Sequence, residues 1–377
     1  MSCTRWMASF TVLLLAPFAN AQPKDLAADF FKPAGPVPKV AITLDPESLK
    51  LLGKDPRKYV SATIKVGDTT YPDVGIHLKG AAGSWRDWND KPGLTLNFNK
   101  FKRAQLFNGL DKMYLNNSVQ DESYLHELLA NELALAMGLP ATRCAHALVE
   151  LNGRKVGIYV MKEGFDAGWL KRHFKDSAGN LYDGGFLMDI NGELKLDHGI
   201  DNGRKDLKAL VKACNEGDAK KRYEAVGKLI DVDLFCANAA LQIVATDWDG
   251  YMRKPNNYRI YFPKDGKGVF IPHGMDQLWQ NPGEGLWQGW GGMVARAVLD
   301  SPEGKKTTLA KLKEMQDKYF TVEKLNKRID ELVPRLKDAM KTVDKNWPKN
   351  YENEVRGLKE RLKQRVEYLT KEVPKLK

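Results

Sequence analysis

The chain has 377 residues, 43% of them hydrophobic and 28% charged, with a formal net charge of +11. The basic excess gathers at the end, where residues 301–377 hold 21 Lys/Arg against 13 Asp/Glu. Their signs alternate along helical stretches, the pattern of a solvated face, which together with export argues against a nucleic-acid partner.

In chain order, Arg5 precedes an apolar run from Trp6 to Phe18, followed by Ala19-Asn20-Ala21. A charged start, a short apolar core and an A-x-A site predict a secretory signal peptide over 1–21, cleaved near Ala21. The run is shorter than the roughly 20 residues a membrane helix needs. No later stretch is long and apolar enough to span, so the mature chain is expected to be exported (periplasmic, cell-surface or extracellular) without a transmembrane segment. Cys144, Cys214 and Cys236 remain, in apolar flanks and without a CxxC pair. They read as small buried hydrophobes rather than as zinc ligands or staples.

Residues 22–38 form a Pro-rich lead-in. Strand signals follow at 40–44, 59–66 and 71–78, the last two flanking Gly67-Asp68 as a hairpin. Val74, Ile76 and Leu78 alternate, as do Leu94, Leu96 and Phe98, so both segments read as half-buried antiparallel strands. Between them lies LKGAAGSWRDWNDKPG, a loop containing Gly80 and Gly83. Asp121 then caps a helix predicted over 122–137, with Leu125, Leu128, Leu129 and Leu133 as its stripe and Gly138 and Pro140 as its stop. HALVEL and KVGIYVM flank Asn152-Gly153, a second hairpin.

From about Leu207 the chain turns helical, and a helix is predicted over 232–245. A short hairpin, NYRIYF and GVFIP, follows around Lys264-Asp265-Gly266. The last third is helical again, with Leu358, Leu362, Val366, Leu369 and Val373 on one stripe. This order predicts an α+β protein: a sheet-rich N-terminal lobe with one helix (39–162), a C-terminal lobe (163–300) and a helical C-terminal extension (301–377).

The chemistry concentrates in ATDWDGYMRKPNNYRIYFPKDGKGVFIPHGMDQLW. Asp249 closes a helix, Asn256-Asn257 open a hairpin, and Asp276 follows its second strand. Phosphoryl transfer needs a carboxylate for the attacking hydroxyl and hard oxygens that hold a divalent cation against phosphates. An Asp, an Asn several residues on and an Asp beyond a hairpin is the order protein kinases use. Upstream, the glycine loop can cover phosphates with backbone N–H groups. Lys91 opens the next strand within reach of α/β-phosphates, and Glu127 on the capped helix can fix that lysine.

These stretches resemble the CotH-type kinases, a family named for a spore-coat protein. The resemblance runs from about Val40 to Gln280 and rests on LNN-x-x-x-D (115–121), NG-x-x-x-G-x-Y (152–159) and PHGMDQ (272–277), with GLKERLKQRVEYL as a closing segment. It implies an atypical, two-lobed protein-kinase-like fold that binds ATP and Mg²⁺ (or Mn²⁺) and phosphorylates a secreted or surface protein on Ser or Thr. By motif, the resemblance implies Asp249 as catalytic and Asn257 and Asp276 as metal ligands. It implies Lys91, Glu127, Gly80 and Gly83 around the nucleotide, and Glu163 near the adenine where the lobes join. Asp247 stands where many relatives carry Asn, which leaves two candidate acids in the DWD. His273-Gly274 replaces a Trp-Asp pair.

Two further readings compete. One is a kinase-like surface or adhesion module that binds proteins without turnover, because ATP is scarce outside the cytoplasm. The other is a secreted carbohydrate-active enzyme in which Trp85, Trp88, Trp279, Trp287 and Trp290 line a sugar cleft and paired carboxylates act on the glycoside.

Overall fold

The computed structural model describes residues 25–32 and 35–376. The leader expected over 1–21 lies outside them. The fold is mixed α+β. Its strands are β1 (Lys39–Thr43), β2 (Val60–Val66), β3 (Thr69–Lys79), β4 (Gly93–Asn97), β5 (Lys112–Asn116), β6 (Cys144–Leu151), β7 (Arg154–Glu163), β8 (Asn180–Asp183), β9 (Lys195–His198), β10 (Tyr258–Phe262) and β11 (Val269–Pro272). Short helices α1 (Ala28–Phe31), α2 (Pro46–Lys54), α3 (His126–Ala136) and α4 (Ala167–His173) punctuate the first half. Then come α5 (Lys205–Cys214), α6 (Ala219–Leu229), α7 (Val232–Val244), α8 (Met293–Leu299), α9 (Pro302–Lys318), α10 (Val322–Lys341) and α11 (Trp347–Glu372).

The first seven strands close into a barrel in the order β1-β2-β3-β4-β5-β7-β6. Local hairpins build most of it. The β6–β7 turn places Asn152 and Gly153 at φ +46° and +81°, the left-handed pair an Asn-Gly turn supplies. Closure comes from β1, which runs parallel to β6 with Ile42 opposite Leu151. Alternation sends Val74, Ile76, Leu94, Leu96, Met113, Leu115 and Met161 into the barrel core. The intervening residues therefore stand on the outer face, where α3 packs. The lead-in is docked as well, with Ala27 and Phe31 buried on the barrel and Arg143 paired to Asp25.

Helix α3 starts at His126, four residues later than its pattern predicts. Tyr124 adopts φ +60°, which breaks any helix begun at 122. Asp121 still serves the helix end, because its carboxylate accepts the His126 N–H at 2.9 Å. The predicted apolar stripe is buried against α7 and the C-terminal helices.

The second sheet has the order β11-β10-β8-β9 and carries α5–α8. Its hairpin β10–β11 was expected; β8 and β9 were not, because each is four residues long and lies among glycines and acids. Helices α9–α11 supply Leu312, Met315, Ile329, Leu332, Leu358, Leu362 and Leu369 to a core shared with α3 and α7. They are core elements rather than an appendage. All three described cysteines are free, with Cys144 and Cys236 buried. No helix among the described residues is long and apolar enough to cross a membrane.

Candidate functional site

A cleft of about 460 Å³ separates the barrel from the second sheet. Lys79, Gly80, Ser84, Asn116 and Asn117 line it from the barrel side, and Asp249, Asn257, His273, Gly274 and Asp276 from the other. Gly80 follows β3 at φ +113°, and a Cβ there would press on the Ser84 carbonyl at 3.1 Å. Only glycine takes that turn without strain. Gly83 lies against the Gln120 side chain at φ +83°, a left-handed conformation that strains any residue with a Cβ.

Behind the cleft lies a buried ionic cluster. The Glu127 carboxylate accepts hydrogen bonds from Lys162 Nζ and Asn116 Nδ2, and Asn116 Oδ1 accepts one from Lys79 Nζ. Burial by itself would raise the Glu127 pKa, but the two lysines hold it below the usual carboxylate value. Burial would lower Lys162, and the Glu127 charge reverses that. Lys79 gains less, so burial pulls its pKa down to about 8 against the attraction of Glu127.

This arrangement corrects the expected pairing of Lys91 with Glu127. Lys91 Nζ donates instead to Tyr124 Oη at 2.9 Å, and lies 4.7 Å from the centre of that ring. It lines a different cavity from the cleft. The lysine that meets Glu127 is Lys162, and the lysine on the cleft wall is Lys79. Both stand on outward positions of barrel strands, next to inward Met161 and Leu78. That parity was the available signal: Lys79 directly follows the alternating run and directly precedes Gly80.

Glu163 also departs from expectation. It is the last residue of β7, where the chain leaves the barrel, but its carboxylate is fully buried. It accepts from Arg143 N at 2.9 Å and from Arg143 Nη2 and Arg172 Nη2 at 2.5 Å each. Its charge clamps the start of β6 to α4 and is not presented to the cleft.

On the opposite wall, Asp249 Oδ2 accepts hydrogen bonds from Asn256 Nδ2 at 3.0 Å and Asn257 Nδ2 at 2.9 Å. Donation by the Asn257 side-chain nitrogen leaves its Oδ1 to face Gly274, where a Cβ would sit 2.4 Å from it. Asp247 is buried and turned into its own turn, accepting the Asp249 N–H at 3.3 Å. Burial and the neighbouring Asp249 charge push it up to about 7. Of the two acids in the DWD, Asp249 is the one on the cleft wall. Asp276 is likewise raised to about 7, by burial and then by the Glu127 charge. His126 Nδ1 lies 2.8 Å from the Asp276 carbonyl, so the helix carrying Glu127 also touches the Asp276 loop.

The tryptophans form no sugar platform. Trp279 is buried and stacks on Phe320, Trp287 packs edge-on to Trp290, and Trp88 rests against the barrel core. None of the five lines the cleft.

The model of the CotH kinase protein family matches residues 76–369. The chain belongs to that family. Inner spore coat protein H of Bacillus subtilis (strain 168) is 25% identical over 363 residues, covering 88% of this chain and 96% of that protein. A crystal structure of the Helicobacter pylori proinflammatory kinase CtkA aligns with 72% of this chain and 90% of its own, at 12% identity and a TM-score of 0.31. That likeness is too low to carry an argument. For this CotH family member the fold and the site rest on the chain's own geometry.

Proposed function

We propose that this chain is an exported protein kinase, transferring the γ-phosphoryl group of ATP to a Ser or Thr hydroxyl with the help of Mg²⁺ or Mn²⁺. Family membership supports a kinase-like protein. The observation that carries the rest is the meeting of Lys79 and the glycine loop with Asp249, Asn257 and Asp276 across one cleft. The barrel and the second sheet then act as the two lobes of a kinase, with the nucleotide between them. The sequence of residues 1–21 and the spore-coat relative support export.

In this reading Lys79 neutralises phosphate oxygens, and Glu127 with Asn116 holds its ammonium in place. The Gly80–Ser84 loop covers the phosphates. Asp249, oriented by two asparagine amides, accepts the hydroxyl proton as the acceptor oxygen bonds to phosphorus and the bond to the diphosphate breaks. Asn257 Oδ1 and the Asp276 carboxylate are the hard oxygens that would hold a magnesium ion shared with the nucleotide phosphates. Among the described residues no three His, Cys, Asp or Glu side chains converge as a closed metal cage, which such a shared site does not need. When bound, the metal offsets negative charge on the phosphates. Incubation with labelled ATP and Mg²⁺ or Mn²⁺, followed by mapping of modified residues, tests the reading. Labelling must depend on the metal and on Asp249; label that survives Asp249→Asn undiminished would refute the assignment.

A further inference from the structure

Lys91, freed from the nucleotide role, occupies a cavity of its own. This cavity, about 420 Å³, lies between the exit of the glycine loop, the turn before α3 and the start of α11. Tyr124, Trp347 and Tyr351 line it, with the Trp347 and Tyr351 ring centroids 6.3 and 6.5 Å from that of Tyr124. The Lys91 ammonium is set between the Tyr124 and Tyr159 rings, 4.7 and 5.5 Å from their centres. Its one protein acceptor among the described residues is Tyr124 Oη, and it has no carboxylate within salt-bridge distance.

Glu122, Asp90 and Asp121 favour the Lys91 charge from a distance, but none contacts it, so the ammonium keeps N–H donors to offer. The groups around Lys91 are rich in donors. Tyr124 Oη accepts from Lys91 and keeps its own proton to give. The buried hydroxyl of Tyr351, which lines the cavity, has no hydrogen-bond partner. Arg86 stands at the mouth, paired with Asp90 at 3.2 Å. Glu122 and Glu354 share the lining, which disfavours a polyanion and leaves room for a single negative group.

We propose that this cavity binds a small oxyanion, a carboxylate or phosphate group, seated on the Lys91 ammonium and separate from the cleft. The wall between the two is thin. Asn117 Nδ2 donates to the Lys91 carbonyl at 2.8 Å and to the Ser84 carbonyl at 2.9 Å, and Ser84 lines the cleft. An occupant would therefore tie the glycine loop to α3 and α11.

Isothermal titration of the full chain with inorganic phosphate, and in parallel with acetate, at pH 7 and constant ionic strength tests the proposal. Saturable binding is expected, weakened about tenfold or more by Lys91→Met and retained in Lys79→Met, as loss of one charge-assisted bond implies. Saturation by phosphate alone assigns a phosphate group, and by acetate alone a carboxylate; either supports the site. Should Lys91→Met fail to fold, Tyr124→Phe removes only the oxygen that holds the ammonium and must also weaken binding. Absence of saturable binding, binding indifferent to these variants, or binding lost with Lys79→Met instead would overturn the proposal. None of these readouts depends on phosphoryl transfer, so failure here leaves the kinase reading standing.

Discussion

Lys79 and Lys91 are both shielded lysines beside barrel strands, and they are separated by the strand parity that decides which way each points. Lys79 stands on the outer barrel face at the end of β3, beside Asn116 and above the cleft. Lys91 precedes β4 and turns toward Tyr124. Sequence spacing alone favoured the lysine nearer the second strand, because it carries no information about which face the loop returns to. Lys79→Met is expected to raise the dissociation constant for ATP-Mg²⁺ by about tenfold or more, and Lys91→Met to leave it nearly unchanged. The opposite ranking in a titration would restore the original assignment. Lys79 also predicts a pH dependence. Its free pKa is lowered to about 8, and bound phosphate would raise it by favouring the charged form. Nucleotide affinity should therefore fall as pH rises through that value, and Lys79→Met should flatten this limb. On the opposite wall the acids were legible by order, because Asp249, Asn257 and Asp276 follow one another around a hairpin that the sequence marks. Asp249→Asn should keep ATP-Mg²⁺ binding but lower turnover by roughly 10²–10⁴-fold, the usual worth of a positioned base. Asp276→Asn should instead impair metal-dependent nucleotide binding, and Asp247→Asn should be mild. An inactive Asp247→Asn beside an active Asp249→Asn would place the base on the other acid.

Elements with strong local signals were readable, and those defined by long-range contacts were not. The β2–β3, β6–β7 and β10–β11 hairpins have turn residues that dictate them, and α7 has Asp231 as its cap and a continuous apolar run. The parallel closure of β1 on β6 joins segments about a hundred residues apart and leaves no local mark. The start of α3 was misplaced because the left-handed Tyr124 is imposed by its packing and its bond to Lys91. This placement of α3 is what brings Glu127 to Lys162. Both side chains are almost completely buried, so removing one strands the other's charge. Lys162→Met or Glu127→Gln should each cost about 3–5 kcal/mol in urea unfolding. The pair replaced together by apolar residues of similar volume should recover much of that loss. Equal and additive losses in the double-mutant cycle would mean the two groups do not act as a pair.

At the scale of the whole molecule, the C-terminal helices bear on the site through one arginine. The alternating charges of residues 301–377 read as a solvated surface, and on the outer faces they are. The inner faces, however, hold a core in common with α3 and α7. Arg365 is about 1% exposed and sits on the inner face of α11. Its guanidinium donates to the carbonyls of Ile243 and Val244 at the end of α7, and to those of Pro282 and Glu284 at 3.0 and 2.6 Å. Unpaired carbonyls at a helix end need such donors, and these lie just before the turn that carries Asp247 and Asp249. Arg365→Met would keep much of the packing volume but remove a donor from four carbonyls, of which Ile243 keeps the Thr246 N–H at 3.2 Å, and each group left buried and unpaired costs about 1–3 kcal/mol. The expected result is a loss of several kcal/mol in denaturant unfolding, with a fall in turnover larger than any change in ATP affinity, because the turn bearing Asp249 loses its anchor while Lys79 does not. Arg365→Lys should recover little, since one ammonium cannot reach carbonyls on both sides of the fork. Deletion of α11 would strip Leu358, Leu362 and Leu369 from the core, at roughly 1.5–3 kcal/mol for each side chain. A chain ending at residue 346 is therefore expected not to melt cooperatively. If it melts as the full chain does and keeps its nucleotide binding, α11 is an appendage and the anchoring role of Arg365 is wrong.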